Sequence, residues 1–289
     1  MVILHVKKAD ESQFLFNVSV EEDMDKVIAE VTDLYNGRLK VSRLCYEIEE
    51  LSKHGTQFPP DIIGLYEDQV KDLGLKDDWG DICEPSGGYT FEKDPVGRRN
   101  GKKPQEHMAK ILTKTVEEAR GMLSKKLVTA NKPLDKKKLK EALDILRGAV
   151  TIVYPMGLPP HDPIRLEFEG KEDLSGTHAS LEVIEESRAC LWFSGKEMSR
   201  GKKLKDYVGS NEKTKITVKL SKSGHGAPAR EPICTEEEKN RMMWQAKQRE
   251  EEMKRLEENQ HEYEDTPWAE GGRLKRAFQG MGNISWKPR

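Results

Sequence analysis

The sequence predicts an α+β fold made of a small N-terminal domain, a second mixed α/β domain and a C-terminal extension. Three observations predict it: strand-like alternation of apolar residues at the front, helix-like apolar spacing in the middle, and a long charged stretch near the end. We expect an α+β domain over residues 1–96, a basic linker over 97–105, a helical α/β domain over 106–222, a second linker over 223–235, and a charged helix and tail over 236–289.

Two apolar runs at the front have the period of a β-strand. Apolar residues alternate along residues 2–6 and again along residues 14–20, with Ala9-Asp10-Glu11-Ser12 between them as a turn. Period two in both runs predicts a pair of strands with one buried face.

The next segment has the spacing of a helix. Apolar residues recur every three or four positions from Met24 to Tyr35, and Gly37 is expected to end this helix. A second periodic stretch covers residues 44–51 and precedes Gly55. A strand–strand–helix start of this kind predicts a ubiquitin-like (β-grasp) domain over residues 1–96.

Glycine and proline punctuate residues 56–105, which predicts an irregular connection with a short strand near residues 89–91. The basic run at residues 98–103 marks the expected domain boundary. A strongly amphipathic helix is predicted over residues 108–123, and Asp135 is expected to begin another.

The remainder of the second domain is predicted to mix strands and one helix. Residues 150–154 become strand-like before a proline, and residues 164–168 alternate as another strand. A third helix, capped near Ser175 or Thr177, is expected to reach Trp192.

The C-terminal part begins after a final predicted strand at residues 214–220. Thr235 and Glu238 form a capping box that opens a charged helix through about Asn259. The apolar positions of this helix are few, so we expect it to lie along a partner or another part of the chain, as in a coiled coil. The aromatic residues after it are scattered, which predicts an extended tail that docks one side chain at a time.

The net charge conceals a strong asymmetry. The chain has 49 Lys and Arg against 51 Asp and Glu, a formal net charge of −2, with 35% charged residues and a mean hydropathy of −0.78. Residues 1–100 carry 21 acids and 12 bases, whereas residues 101–160 carry 6 acids and 13 bases. The acidic front and the basic middle either pack against each other or face separate partners.

Motifs for membrane insertion and catalysis are missing from the sequence. No apolar run approaches about 18 residues, and the N-terminus lacks a signal-peptide cleavage site, which predicts a cytosolic protein without membrane insertion. The four cysteines form no CxxC pair and are expected to be reduced. Since no Walker A loop, paired metal-ligand histidines or GxSxG motif is present, we expect a non-enzymatic protein with no cofactor and no metal.

Basic, proline-rich and aromatic segments are the candidate partner-binding sites. The lysine runs suit an acidic surface such as a microtubule, and the alternative is a solvated helix face. No aromatic residues lie among these lysines, which disfavours nucleic acid as the partner. The proline segment at residues 154–163 forms either a rigid crossover or a docking loop. The candidates are Arg98, Arg99, Lys136, Lys137, Lys138, Pro159, Pro160, Lys202, Lys203, Trp268 and Trp286.

The same proline segment carries a family resemblance. The stretch from Ile152 to Pro160, continued by residues 162–165 and 172–177, resembles the Kurly family, also called the cilia- and flagella-associated protein 298 family. The resemblance extends in collinear order over essentially the whole chain. Further matching segments lie at residues 35–41, 97–101, 206–209, 226–232, 256–259, 267–269 and 286–289.

The resemblance implies a non-enzymatic protein of motile cilia and flagella. It implies roles in outer dynein arm assembly, ciliary motility and ciliary positioning linked to planar cell polarity. It also implies a location in the cytoplasm and at the cilium base, with a zinc-finger MYND-domain assembly factor as a partner. We therefore expect a cytosolic assembly factor or adaptor that contacts dynein-arm subunits. The alternative is a resident axonemal protein whose Lys136 and Lys202 runs face tubulin.

Overall fold

The computed structural model describes residues 1–65, 67–224, 226–229 and 236–264. The chain divides into two compact units, residues 1–229 and residues 230–289. The strands of the first unit are β1 (Val2–Lys8), β2 (Glu11–Val18), β3 (Tyr89–Phe91), β4 (Lys102–Pro104), β5 (Ala189–Phe193), β6 (Lys196–Glu197) and β7 (Lys215–Lys222). Its helices are α1 (Met24–His54), α2 (Glu67–Asp72), α3 (Asp78–Ile82), α4 (Glu106–Met122), α5 (Lys126–Thr129), α6 (Lys136–Val153), α7 (Pro163–Glu169), α8 (His178–Glu182) and α9 (Lys205–Val208).

The main sheet is mixed and has the strand order β2-β1-β7-β5-β6. The predicted hairpin is confirmed, since β1 and β2 are antiparallel with Leu4 opposite Phe16. The last predicted strand is also confirmed, and as β7 it lies parallel to β1 and antiparallel to β5. Alternate residues of these strands are buried, among them Val218 and Leu191, so one face of the sheet closes the core.

Helix α1 is a single helix of 31 residues, which corrects the prediction of two helices separated at Gly37. Gly37 lies inside the helix because helix α6 approaches closely there, and a Cβ at this position would overlap the side chain of Leu139. The absence of a Cβ at Gly37 thus allows the two helices to approach each other and does not mark the end of a helix. The helix ends at Gly55, which follows the second periodic stretch and has a φ of +78° and its N–H bonded to the Leu51 carbonyl at 3.0 Å.

Helix α1 contacts strands β2 and β5 and also the helices α4, α6 and α7. Its buried side chains extend along most of its length, from Ile28 in the N-terminal part to Ile48 in the C-terminal part. Helices α4 and α6, predicted from residues 108–123 and from Asp135, are confirmed and pack on each other and on α1. One continuous hydrophobic core therefore extends from β1 to β7.

Two predicted strands of the middle region are helical. Residues 150–154 continue α6 as far as Val153, and residues 164–168 belong to α7, whose N-cap is Asp162. Short apolar runs do not distinguish a strand from a buried helix turn, and here the Asp-Pro start decided for a helix. The third predicted helix is only α8, after its N-cap Thr177, and residues 191–192 lie in β5.

The predicted division of the first 222 residues differs from the observed arrangement. Strands from residues 1–18 and from residues 189–222 share one sheet, and residues 1–229 form one compact unit. The predicted 97–105 linker contains β4, which pairs with β3. Apolar periodicity identifies strands but does not show which strands pair, so sequence reasoning placed a boundary inside one core.

The second unit contains helix α10 (Glu236–Glu264). Its start at Glu236 agrees with the predicted helix, while Thr235 of the predicted capping box lies outside the described residues. From residue 237 to residue 256, each described side chain is exposed. The exposed large apolar side chains of this helix are Met242, Met243, Trp244, Met253 and Leu256.

Candidate partner-binding surfaces

Arg99, one of the candidate binding residues, is buried and holds the structure together. Its Nη1 donates to the Gly55 carbonyl oxygen at 2.7 Å, and its Nη2 donates to Oε2 of Glu47 at 2.7 Å. Arg98 is half-exposed and reaches Oε1 of the same Glu47 at 3.4 Å. The basic run therefore fastens itself to the end of α1, and of the two arginines only Arg98 offers a charge at the surface.

Asp94 shapes the turn that presents these arginines. Its carboxylate accepts hydrogen bonds from the backbone N–H groups of Val96 (2.9 Å), Arg98 (2.8 Å) and Arg99 (3.0 Å). Burial raises the pKa of Asp94, but these three hydrogen bonds outweigh burial and hold the pKa below its usual value. The turn is therefore built around a negative charge.

Asp162 lies behind Arg99 and is fully buried. Its Oδ1 accepts from the Ile164 N–H at 2.9 Å and caps α7, and its Oδ2 accepts from the Gln57 N–H at 3.2 Å. Nη1 of Arg99 lies 3.9 Å from that second oxygen. Burial raises the pKa of Asp162, and the charge of Arg99 opposes the rise.

The proline segment is attached to this cluster. Pro159 is buried and Pro160 is exposed. Nε2 of His161 lies 2.9 Å from the Gln57 carbonyl oxygen, and Nη1 of Arg165 donates to the Leu158 carbonyl oxygen at 2.9 Å. These contacts fit a rigid crossover, and a docking role for Pro160 stays a prediction.

The first lysine run begins α6 and is largely exposed. Nζ of Lys136 lies 3.1 Å from Oδ2 of Asp33, and Nζ of Lys138 donates to the Pro133 carbonyl oxygen at 2.9 Å. Lys137 is exposed, so its charge remains available at the surface.

The second lysine run lies beside the start of α1. Nζ of Lys203 lies 3.5 Å from Oε2 of Glu21, and the Lys202 carbonyl oxygen accepts from the Met24 N–H at 2.9 Å. The ammonium of Lys202 lies 5.8 Å from the ring centre of Tyr207. Among the described residues, no hydrogen bond or ion pair joins the two lysine runs. The candidates Trp268 and Trp286 lie outside the described residues.

The acidic front and the basic middle pack against each other. Among the described residues, seven ion pairs join carboxylates of residues 1–100 to bases of residues 101–160. Most are exposed, so each contributes little on its own to stability. They are Lys136 with Asp33 (3.1 Å) and Glu30 (3.9 Å), Arg120 with Glu49 (2.9 Å), Lys125 with Glu11 (2.6 Å), Lys102 with Asp81 (2.7 Å) and Glu84 (3.3 Å), and Lys103 with Glu92 (2.7 Å).

A groove of about 590 Å³ lies between α2, the residues that precede it and the turn at residues 94–97. We call it the apolar groove. Sequence reasoning missed it, since residues 56–105 carry no periodic signal. The lone aromatic and branched residues between glycines and prolines were the available sign. Its apolar lining comes from Phe58, Ile62, Leu65, Val70, Phe91 and Val96.

The described residues bear on metal binding, membrane crossing and thiol chemistry. There, no three His, Cys, Asp or Glu side chains are grouped so that they could hold a metal ion. Among the same residues, no helix combines the length and apolar composition that a membrane crossing requires. Cys45, Cys83 and Cys190 are free thiols, and burial raises the pKa of Cys45 and of Cys190 to about 11, so both are protonated at neutral pH.

Comparison with known proteins gives a consistent result. The profile of the family "Cilia- and flagella-associated protein 298" matches residues 189–284. The chain is 54% identical to cilia- and flagella-associated protein 298-A of Xenopus laevis and 55% identical to the Homo sapiens protein, in both cases over 100% of the two chains. It is 49% identical to the Drosophila melanogaster protein over 99% of both chains. No solved structure matches this chain. Full-length identity at this level, added to the family profile, means that the chain belongs to the cilia- and flagella-associated protein 298 family.

Proposed function

We propose that this chain is a non-enzymatic assembly factor or adaptor for the outer dynein arms of motile cilia and flagella. The observation that carries the proposal is full-length similarity to proteins named for cilia and flagella. The family is named for a cellular structure and not for a reaction. Outer dynein arm assembly, a role in ciliary positioning and planar cell polarity, and action in the cytosol and at the basal body follow from the family resemblance and belong to the proposal.

Helix α10 supplies a means of attachment for such an adaptor. Its exposed methionines, Trp244 and Leu256 stand among charged residues, and Met side chains adapt to differently shaped partner surfaces. A helix of this kind is stabilised when a partner covers its apolar side chains. The proposed partners are a zinc-finger MYND-domain assembly factor and dynein-arm subunits.

Cell fractionation tests the proposed function. An assembly factor should be recovered from the cytoplasm and depleted from washed, salt-extracted axonemes. Loss of the protein should lower the outer dynein arm content of axonemes, measured by quantitative proteomics, while inner-arm and radial-spoke proteins serve as controls. Normal outer-arm content in its absence would contradict the proposal.

The second candidate is a resident axonemal protein on doublet microtubules. The exposed Lys137 favours it, because a lysine that pairs with no carboxylate of the described residues suits the acidic tubulin surface. Lys136 and Lys203 support it less, since both already pair with carboxylates of this chain. Retention at fixed stoichiometry in salt-extracted axonemes would select this function over the first.

Removal of residues 236–289 tests the role of α10. The truncated chain keeps the continuous core of residues 2–220, so its thermal unfolding should remain cooperative. We expect pull-down of dynein assembly components to weaken strongly. Unchanged capture would move the attachment site to residues 1–229.

We also propose that the ubiquitin-like interpretation applies to a sheet that is discontinuous in sequence. Three features support it: the β1–β2 hairpin, helix α1 packed on the sheet, and the last strand, which lies parallel to the first. These two strands are neighbours in the order β2-β1-β7-β5-β6. Residues 55–188 would then be an insertion between α1 and β5. An experimental structure superposed on ubiquitin tests this, and an antiparallel β1–β7 pair would contradict it.

A further inference from the structure

The apolar groove exposes large apolar side chains that no described residue covers. Phe91 is 73% exposed and Val96 is 72% exposed. The ring of Phe91 stands against the backbone of Gly101, where a Cβ would lie only 2.9 Å from its Cε2. The position of the ring is therefore set by the chain beneath it. Exposed apolar groups that line a concave surface are typical of an interaction site.

The same segment also has exposed apolar side chains that do not line the groove. Residues 73–89 also carry exposed apolar side chains, on short elements whose own packing buries little. The exposed fractions are 63% for Leu73, 41% for Trp79, 51% for Ile82 and 44% for Tyr89.

Polar contacts hold these short elements in place. The side chain of Asp77 accepts from the Gly80 N–H at 2.9 Å and caps α3. Nζ of Lys102, on β4, donates to the Gly80 carbonyl oxygen at 3.0 Å and to Asp81 at 2.7 Å. The exposed apolar groups thus sit on a framework fixed by hydrogen bonds, which lowers the entropy cost of binding.

The charge of the segment is strongly negative. Residues 61–94 contain ten Asp and Glu against three Lys, a balance of −7. Asp61, Asp68, Asp72 and Asp78 are exposed and have no ion-pair partner among the described residues. Each lies one or two positions along the chain from a residue that lines the groove, and so stands at its rim, while the lining itself contains Lys71, Lys93 and the buried Arg99 against Asp77 and Asp94.

We propose that the apolar groove is the docking site for a basic, partly apolar peptide segment of a partner protein. Large apolar side chains of that segment fill the groove beside Phe91 and Val96. Its Lys or Arg residues face the four exposed aspartates, which steer association and make it salt-dependent. An acidic segment is disfavoured at this face, since like charges would oppose each other.

The inference rests on the proposed adaptor function, because it names a surface and a partner chemistry for it. The test is carried out in vitro, whereas the proposed function is tested in cells. If no peptide binds the groove, the proposed role in outer-arm assembly still stands and must use another surface. If outer arms are normal without the protein, the proposed function fails, but a measured affinity for the groove remains valid.

Selection from a random peptide library displayed on phage, with the full-length protein as bait, tests the proposal. The groove variant is Phe91→Ala/Val96→Ala, whose two exposed positions should leave folding intact. The matched control is Tyr46→Ala/Leu181→Ala, which removes similarly exposed apolar groups (55% and 69%) elsewhere in the same unit. Thermal unfolding of all three proteins checks that the fold is unchanged.

The enriched peptides should carry net positive charge and at least two large apolar residues. For a synthetic copy of the best peptide, the groove variant should raise Kd by about tenfold or more, while the control variant should change Kd by less than about twofold. Neutralising the four aspartates, as Asp61→Asn/Asp68→Asn/Asp72→Asn/Asp78→Asn, should weaken binding and flatten its salt dependence.

Four outcomes would overturn the inference. In the first, the enriched peptides are acidic. In the second, they bind the groove variant as tightly as the native protein. In the third, the native protein enriches no peptide beyond the level that the groove variant gives. Concentration-dependent self-association that the groove variant abolishes, measured by sedimentation, would instead assign the groove to a second copy of this chain.

Discussion

The basic segment at residues 98–103 and the lysine run at residues 136–140 have similar charge but different roles. In the first, Arg99 is 3% exposed and its guanidinium bonds to the end of α1. In the second, Lys136 is half-exposed and makes surface ion pairs with Asp33 at 3.1 Å and with Glu30 at 3.9 Å. The difference teaches that positive charge in a sequence does not by itself indicate a partner-facing surface.

The physical reason lies in the two side chains and in what holds each segment. A guanidinium presents a planar set of donors that several acceptors can satisfy at once, so it is buried more readily than an ammonium. The lysine run is held by the opposite, apolar side of α6, where Leu139 packs against Gly37. Charges fix the first segment, and van der Waals contact fixes the second.

Arg99→Ala should give the largest effect. It leaves Asp162 buried without its countercharge, so the free energy of unfolding should fall by about 3–5 kcal/mol. Urea unfolding at neutral pH measures this. Arg98→Ala, at a half-exposed neighbour, should cost about 1 kcal/mol or less.

A second substitution sharpens the first prediction. Arg99→Ala/Asp162→Asn should recover part of the lost stability, because asparagine still caps α7 and the uncompensated charge is gone. Equal stability of Arg99→Ala and the native protein would show that the two regions do not differ.

Gly37→Val should destabilise the packing of α6, which carries the lysine run, against α1. The new side chain overlaps Leu139, and overpacking of this kind costs about 1–3 kcal/mol. Gly148→Val is the matched control, since Gly148 is also helical but has open space at its Cβ position. Similar unfolding midpoints for both variants would contradict the close helix contact.

Asp94→Asn should have a smaller effect that depends on pH. The folded-state pKa of Asp94 is lowered, so its stabilisation is present above the unfolded pKa of about 3.9 and is lost as pH falls through the folded pKa. At pH 7 the variant should lose about 1–3 kcal/mol, since hydrogen bonds to a charged acceptor are removed.

The difference in the free energy of unfolding between Asp94→Asn and the native protein should vanish at low pH. Burial raises the pKa of Asp162 and Glu167, and such groups favour the folded state as pH falls. The difference between native and variant curves therefore isolates Asp94. A difference that stays constant down to pH 2 would contradict the assigned role.

Lys136→Ala should give the smallest effect. Loss of an exposed ion pair should change the free energy of unfolding by about 0–1 kcal/mol. Urea unfolding beside Arg99→Ala measures the contrast directly. A loss as large as that of Arg99→Ala would remove the distinction between the two basic segments.

Sequence reasoning found the elements that carry a clear period. The hairpin, helices α4 and α6 and strand β7 were predicted from apolar spacing. It failed where a local sign had two meanings. Gly37 resembled a helix end but serves a helix contact, and residues 164–168 resembled a strand but form α7 after the cap at Asp162.

The candidate surfaces were predicted less completely. Lys137 and Pro160 are exposed as a binding residue requires, whereas Arg99 and Pro159 are buried. The apolar groove was not predicted, because it joins residues near Phe58 to residues near Phe91 that have no shared period. Docking at any of these residues stays a prediction.

The sequence by itself determined the family, the α+β class, the long charged helix and the opposed charges of front and middle. Those properties are local or additive along the chain. Tertiary structure alone decided that strands from residues 1–18 and 189–222 share one sheet, that the acidic front packs on the basic middle, and that Arg99 is buried against Asp162. Pairing and burial depend on contacts between residues far apart in the chain, and a one-dimensional pattern does not encode which distant partner each residue meets.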